Sequence, residues 1–156
     1  MLRISRLTDY GTMILVHLAS REDRVCSASD IASGTHVARP TAQKILKALA
    51  RAGLVKSERG AGGGYALAKS ASAITAAQIL DALEGPVAIT ECSTADSHCA
   101  LESLCQVGTT WQKINKAIRL ALSDITLATL TRPPREIPGM MLGPNQPRSG
   151  GRLDRS

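Results

Sequence analysis

The chain has 156 residues and a formal net charge of +6, so its length suits one domain and its charge suits a polyanionic partner. Apolar residues make up 44% of the chain, which is enough for a globular core, and they form no run of 18 that could cross a membrane. No secretory leader is recognisable, so we expect a cytoplasmic protein. Phe is absent, so Leu, Ile, Val and Ala must build the core, and cores rich in Leu and Ala favour helices.

The first part of the chain predicts two helices joined by a polar turn. Residues 7–20 are predicted as a helix, with Thr8 as its N-cap and Asp9 in the first turn, where the helix dipole favours a carboxylate. A short helix follows over residues 30–33, entered from Ser27 or Ser29 as the cap. Residues 34–36 are predicted as a turn.

The next helix is predicted over residues 39–52, with Pro40 in its first position and Gly53 as its stop. A short helix, a turn containing glycine and a second helix form the helix-turn-helix pattern. The second helix carries side chains that donate hydrogen bonds to base edges and phosphates. We therefore expect DNA contacts from Arg39, Thr41, Gln43 and Lys44, with Lys47 and Arg51 as weaker candidates.

A β-hairpin is predicted directly after this helix, which makes the unit a winged helix. Residues 54–57 and 65–67 are its strands, joined by the glycine-rich turn over residues 59–64. Glycines let the backbone approach a phosphate closely, and Arg59 at the tip is expected to contact DNA. A nucleotide-binding loop would need a strand–GxxxxGK[ST]–helix order, whereas a strand follows these glycines.

Two further helices are predicted on either side of a cysteine-bearing segment. Residues 75–78 have the form of a capping box and open a helix that ends at Leu83. Residues 109–130 are predicted as one long helix of about 33 Å with an apolar stripe. Since two-fold symmetry suits operator binding, we favour a homodimer interface for this helix over an intrachain core helix.

Three of the four cysteines lie within residues 91–107 in the spacing C-x6-C-x5-C: Cys92, Cys99 and Cys105. Thiolates are preferred ligands of iron–sulfur clusters and of zinc, and in a reducing cytoplasm clustered cysteines indicate metal or redox chemistry. Structural zinc usually takes four Cys or His ligands, often in C-x2-C pairs. The spacing and the odd number therefore favour an iron–sulfur cluster, with zinc, a disulfide or plain buried cysteines as alternatives. Cys26, far along the chain in a polar turn, is expected to be a bystander.

Four other motifs accompany the cysteines: L-T-D-Y-G at residues 7–11, A-R-P-T at 38–41, L-x-x-A-G-L-V at 49–55 and R-G-A-G-G-G-Y-A-L at 59–67. Together these residues resemble the Rrf-two family of bacterial transcription regulators, and the resemblance covers about residues 1–130. It implies a homodimeric winged-helix transcription factor. It also implies a [2Fe–2S] or [4Fe–4S] cluster near the dimer interface, whose status changes which DNA is bound.

The fourth cluster ligand is where this sequence departs from some members of that family. The opening residues 2–10 look most like the branch that regulates SUF iron–sulfur assembly operons. IscR-like members place a histidine two residues after the third cysteine, and here that position is Val107. NsrR-like members use a carboxylate from the first helix of the other subunit, and Asp9 stands at the matching position. The resemblance therefore implies Asp9, donated across the dimer, with His98 and Glu102 as alternatives.

These predictions combine into a mostly α-helical winged helix-turn-helix protein in four parts. The parts are a DNA-binding domain (1–84), a cluster-binding loop (85–107), a dimerisation helix (108–131) and a disordered basic tail (132–156) rich in Pro and Gly. The predicted function is cluster-sensing transcriptional regulation, as a repressor of iron–sulfur assembly or stress genes, on a double-stranded operator. No enzyme activity, small-molecule substrate or membrane partner is expected. The alternatives are a winged-helix repressor with structural zinc and an electron-transfer protein that uses the same cysteines.

Overall fold

The structure, a computed structural model, describes residues 4–21, 24–86, 88 and 107–132. The helices are α1 (Arg6–Ala19), α2 (Ala28–Thr35), α3 (Arg39–Arg51), α4 (Ala76–Leu83), α5 (Gly108–Asp124) and α6 (Leu127–Leu130), and the strands are β1 (Val55–Glu58) and β2 (Gly64–Leu67). The predicted fold class, a mostly helical winged helix-turn-helix with a small hairpin, is confirmed. The three clustered cysteines and the predicted tail beyond Arg132 lie outside the described residues.

One aliphatic core joins the helix-turn-helix, the hairpin and α4. Helices α1, α2 and α3 pack against one another, and α4 lies against α1 and α3. The composition predicts this kind of core, because branched aliphatic side chains must replace the missing aromatic ones. Its fully buried side chains are Ile14, Leu15, Leu18, Ile31, Ile45, Leu46, Leu49, Leu54, Ile74, Ile79 and Leu127.

The N-cap of helix α1 lies earlier in the chain than predicted. Ser5, and not Thr8, caps it, because the Ser5 hydroxyl accepts hydrogen bonds from the backbone N–H groups of Leu7 at 3.2 Å and Thr8 at 3.4 Å. Thr8 is buried instead, with its hydroxyl directed to Glu84. Both residues are good capping types, so the local sequence could not separate them.

Helix α2 is longer than the four residues predicted for it. Ser27 is its cap, in a capping box with Asp30, and the helix then continues to Thr35. The turn before α3 is therefore tighter than expected, and His36 takes a left-handed conformation with φ 56°.

The prediction of a single helix over residues 109–130 was wrong. Helix α5 ends at Asp124, Ile125 is extended, and Thr126 caps the short helix α6. Two tertiary hydrogen bonds replace helical ones here: the N–H of Ala76 donates to the carbonyl of Ile125, and the N–H of Leu127 donates to the carbonyl of Ile74, each at 2.8 Å. The chain breaks the helix because this pairing also buries Leu127 completely.

The hairpin is antiparallel, with Val55 opposite Leu67 and Glu58 opposite Gly64. A third segment pairs with it at Cys26. The Cys26 N–H donates to the Tyr65 carbonyl at 2.9 Å, and the Tyr65 N–H donates to the Cys26 carbonyl at 2.8 Å. The buried Cys26 thus anchors the hairpin to the helix-turn-helix, a role that no sequence pattern indicated.

His17 packs its ring against α2 at Gly34, where an added Cβ would lie 2.1 Å from the ring carbon Cε1. Burial is the main cause that lowers the pKa of His17, and the Arg21 guanidinium, 3.1 Å from both ring nitrogens, lowers it further. Asp30 opposes both effects in part. The neutral imidazole is therefore the form that fits the packed α1–α2 interface.

We expect the free energy of unfolding to fall as the pH is lowered through the unfolded-state pKa of His17, about 6.5. The folded-state pKa is the lower one, so the unfolded chain binds more protons in this window. The stabilisation is complete only above that pH. Urea unfolding at about pH 7.5 and about pH 5.5 measures the decline, which should be smaller in a His17→Gln variant. An equal decline in both proteins would contradict this assignment.

Candidate nucleic-acid interface and regulatory site

Helix α3 separates its apolar and polar side chains onto opposite faces. Its buried residues are Ala42, Ile45, Leu46 and Leu49, spaced at three and four residues. The polar residues fall on the other side and carry four positive charges with no carboxylate. The structure exposes Arg39, Gln43, Lys44, Lys47 and Arg51, and it leaves Thr41 half-buried at the margin.

The start of α3 also suits a negatively charged partner. Ala38 provides no side-chain hydrogen bond to the first turn, so the free N–H groups there have no side-chain acceptor. Ala38, Arg39 and Pro40 are exposed. Because the helix dipole is positive at this end, the first turn can bind a DNA phosphate.

The hairpin turn requires glycine at two positions. Gly60 has φ 114°, which an L side chain rarely adopts, and a Cβ on Gly63 would lie 2.4 Å from the Glu58 carbonyl oxygen. Arg59 is exposed at the start of this turn. The nearby carboxylate of Glu58 lies 3.6 Å from the Lys56 ammonium, so it is partly neutralised by a neighbour of its own strand.

Asp9 lies on the exposed side of the first turns of α1. Its carboxylate makes no hydrogen bond or ion pair within the described part of the chain. The adjacent Thr8 faces inward and donates to Glu84 at 2.5 Å. Hydrogen bonds from the hydroxyls of Ser5 and Thr8, in that order, lower the pKa of Glu84.

The candidate thiolate ligands, Cys92, Cys99 and Cys105, belong to the segment between α4 and α5, outside the described residues. The alternatives to Asp9 as the fourth ligand, His98 and Glu102, lie there too. Across residues 4–21, 24–86, 88 and 107–132, no three His, Cys, Asp or Glu side chains gather as a metal site.

Helix α5 presents two adjacent stripes. The inward stripe contains the buried Gly108 and Asn115, and it contains Arg119, which binds Asp81 of α4 through two hydrogen bonds of 3.0 and 2.9 Å. The other stripe is apolar and open to solvent in the single chain. Its exposed members are Val107, Trp111, Ile114 and Ile125, with Ile118 half-buried between them.

Comparison with known proteins agrees with this architecture. The model of the Rrf2 family, described as "Iron-dependent Transcriptional regulator", matches residues 4–133. The chain belongs to the Rrf2 family. The resemblance drawn from the motifs is thereby confirmed. A curated Rrf2 relative, Protein rrf2 of Nitratidesulfovibrio vulgaris, is 31% identical over 132 residues, which cover 84% of this chain and 88% of that protein.

Two solved structures of Rrf2 regulators are similar over most of their length. CymR (YrzC), the global cysteine regulator of B. subtilis, is 34% identical with a TM-score of 0.65, over 84% of this chain and 97% of CymR. T. potens IscR is 30% identical with a TM-score of 0.62, over 83% of this chain and 85% of IscR. The chain is thus a DNA-binding transcriptional regulator of the Rrf2 family, and not an enzyme. In the part that the structure describes, we find no helix long and apolar enough to span a bilayer.

Proposed function

We propose that this Rrf2 protein is a cytoplasmic homodimeric repressor that senses an iron–sulfur cluster. The observation that carries the proposal is the C-x6-C-x5-C spacing of Cys92, Cys99 and Cys105. These cysteines lie between α4, which packs against α1 and α3, and α5, which contacts α4. The iron-dependent description of the family supports it. The division of the chain at residues 84, 107 and 131 remains part of the proposal, with two helices, α5 and α6, in the third part.

The DNA partner is a double-stranded, near-palindromic operator. The two recognition helices of a dimer would enter successive major grooves about 34 Å apart. In each protomer the exposed face of α3 reads base edges, and the turn with Arg59 contacts the backbone or a groove. The net charge of +6 supplies salt-dependent affinity for phosphates.

The second copy of the chain is the proposed partner of α5. Among the described residues, the apolar stripe of α5 lies beside the stripe that packs on α4 and is itself exposed. This stripe runs along the whole helix, from Val107 and Trp111 at its start to Ile125 at its end. In an isologous dimer, the stripes of both protomers would be buried against each other. We therefore assign the dimer to α5, over residues 108–124 and not the longer helix first predicted.

The proposed cluster ligands are Cys92, Cys99, Cys105 and the Asp9 carboxylate of the other protomer. Three thiolates and one exposed carboxylate fit the donor set that iron–sulfur clusters accept. When bound, the cluster supplies a redox-sensitive link between the cysteine segment of one chain and α1 of the other. His98 and Glu102 remain the alternatives to Asp9.

The contacts of α4 explain how the cysteine segment can influence DNA binding. Helix α4 ends where the segment begins, packs against α1 and α3, and holds α5 through Asp81 and Arg119. Ordering or release of the segment would thus bias the relative position of the recognition helix and the dimer helix. Such order–disorder changes are a known form of two-state switch.

The deciding experiment is anaerobic purification with assays of iron and acid-labile sulfide, followed by operator binding before and after cluster removal. Matched iron and sulfide, together with DNA affinity that changes on removal, would support the proposal. Purified protein that contains zinc and shows no visible absorption bands would overturn it. DNA affinity that is unchanged by cluster removal would overturn it too.

A second candidate is a regulator that responds to cysteine supply without a cluster. It is favoured by the similarity to CymR, whose TM-score of 0.65 slightly exceeds the 0.62 of IscR. The same assay separates the two, because a cysteine-responsive regulator would bind its operator equally well when purified free of iron and sulfide.

Two exposed residues of α3 should affect DNA binding differently. Gln43→Ala is expected to relax the preference at one base pair by about 1–3 kcal/mol, because glutamine pairs with adenine through two hydrogen bonds. Lys47→Ala should weaken binding to all DNA sequences about equally. It should also reduce by about 1 the slope of log affinity against log salt concentration. Titrations of operator variants at several salt concentrations measure both effects. If Gln43→Ala changed the salt dependence and Lys47→Ala changed the base preference, the roles of base readout and phosphate contact would be exchanged between the two residues.

A further inference from the structure

The start of α1 and the end of α4 are joined through one carboxylate. Thr8 is 3% exposed, and its hydroxyl donates to Glu84 Oε1 at 2.5 Å. The backbone N–H of Ser5 donates to the same oxygen at 3.3 Å. Glu84 itself lies at the surface, so its carboxylate is held by these donors and not by burial.

A steric contact one turn further along α1 supports this junction. A Cβ on Gly11 would lie 2.3 Å from Leu83 Cδ1, so the two helices touch directly there. Glu84 is the C-cap of α4, and Gly85 then turns the chain away with φ 91°. The segment that carries the three cysteines therefore begins at the point where α4 is fixed to α1.

The neighbouring residues Thr8 and Asp9 differ in exposure, since Thr8 is buried and Asp9 is exposed. Thr8 faces inward to Glu84, whereas Asp9 is exposed and free of partners in the described residues. Any movement of the Thr8 turn moves Asp9 with it, because both lie in the same rigid helical turn. The orientation of the candidate ligand thus depends on the contact with Glu84.

We infer that Glu84 is a positioning residue of the regulatory site: it fixes the first turns of α1, including Asp9, to the root of the cysteine segment. The inference rests on the proposed cluster function and adds a residue to it. Glu84 touches no cluster atom in this role. Removing its carboxylate leaves the buried Thr8 hydroxyl without an acceptor, so the turn that carries Asp9 loosens.

Two measurements on the full-length dimer test this role. The first is amide hydrogen exchange of the cluster-free protein at residues 7–10, which reports the stability of the turn. The second is the rate of iron transfer from the anaerobically reconstituted protein to a chelator. Glu84→Ala and Thr8→Val should each raise exchange, and each should speed iron transfer at least about fivefold. The double variant should do no more than either alone, because both remove the same interaction.

Matched variants separate positioning from a general loss of stability. Thr8→Ser keeps the hydroxyl donor and Glu84→Gln keeps an oxygen acceptor. Both variants should therefore transfer iron as slowly as the wild type. Glu58→Ala removes an exposed carboxylate of β1, outside α1 and α4, and should leave iron transfer unchanged. Faster exchange with unchanged iron transfer, or an equal effect of Glu58→Ala, would overturn the inference. Wild-type protein that takes up no iron and sulfide would overturn the proposed function, and the inference with it.

Discussion

Replacing Ile114 with glutamate is expected to convert the dimer into a folded monomer. Ile114 is 39% exposed in the single chain and lies in the middle of the apolar stripe of α5, so the protomer tolerates a charge there. In the proposed dimer the same carboxylate would be buried without a partner, which costs about 3 kcal/mol or more. The dimer dissociation constant should therefore rise by at least roughly 100-fold. Sedimentation velocity over a range of concentrations measures the change.

Operator affinity of the Ile114→Glu variant should fall together with the loss of dimerisation, because only the dimer can place two recognition helices at once. Lys116→Gln is the matched control. It lies on the exposed, polar side of α5 and changes the net charge by the same amount, from +6 to +5. It should leave the dimer intact. An Ile114→Glu variant that remains as dimeric as the wild type would place the dimer interface elsewhere.

Replacing Cys99 with serine is expected to abolish cluster binding. Serine offers a neutral hydroxyl at pH 7, whereas iron–sulfur clusters are held by thiolates. Bound iron and acid-labile sulfide should each fall more than about tenfold, with loss of the visible absorption bands. The variant should bind the operator as the cluster-free wild type does, before and after chelator treatment.

Cys26→Ala is the control for that experiment. Cys26 is 6% exposed and pairs by its backbone with Tyr65, so its side chain belongs to the core beneath the hairpin. The variant should lose about 1 kcal/mol of stability from the small cavity and keep its iron. If Cys26→Ala loses iron as completely as Cys99→Ser, the assignment of the three-cysteine set is wrong.

The elements that the sequence predicted well are those with local signals at both ends. Helix α3 combines an apolar spacing of three and four residues with Pro40 near its start, and Gly53 follows it with φ 70°. The capping box of Thr75 and Gln78 opens α4, as predicted. Such signals act within one or two turns of chain, so they are readable without knowledge of the rest of the fold.

The candidate DNA interface was predictable for the same reason. The charged face of α3 follows from the helical period, since fixing the apolar stripe also fixes which side chains face outward. Thr41 is the exception, because it lies at the margin of the stripe where the period alone does not decide burial.

Tertiary contacts decided what the local pattern could not. Thr8 lost its predicted capping role because its hydroxyl binds Glu84, 76 residues away. The long C-terminal helix broke at Ile125 because residues around it pair with Ile74 and Thr75. No local pattern contains either partner.

The sequence by itself thus determined the winged-helix class, the basic exposed face of α3, the three-cysteine motif and the family. The tertiary structure decided which of two adjacent residues, Thr8 or Asp9, faces the protein and which faces outward. It also decided which stripe of α5 remains open. These outcomes depend on distant segments competing for the same hydrogen-bonding groups and apolar surface, and that competition is settled only when the chain packs.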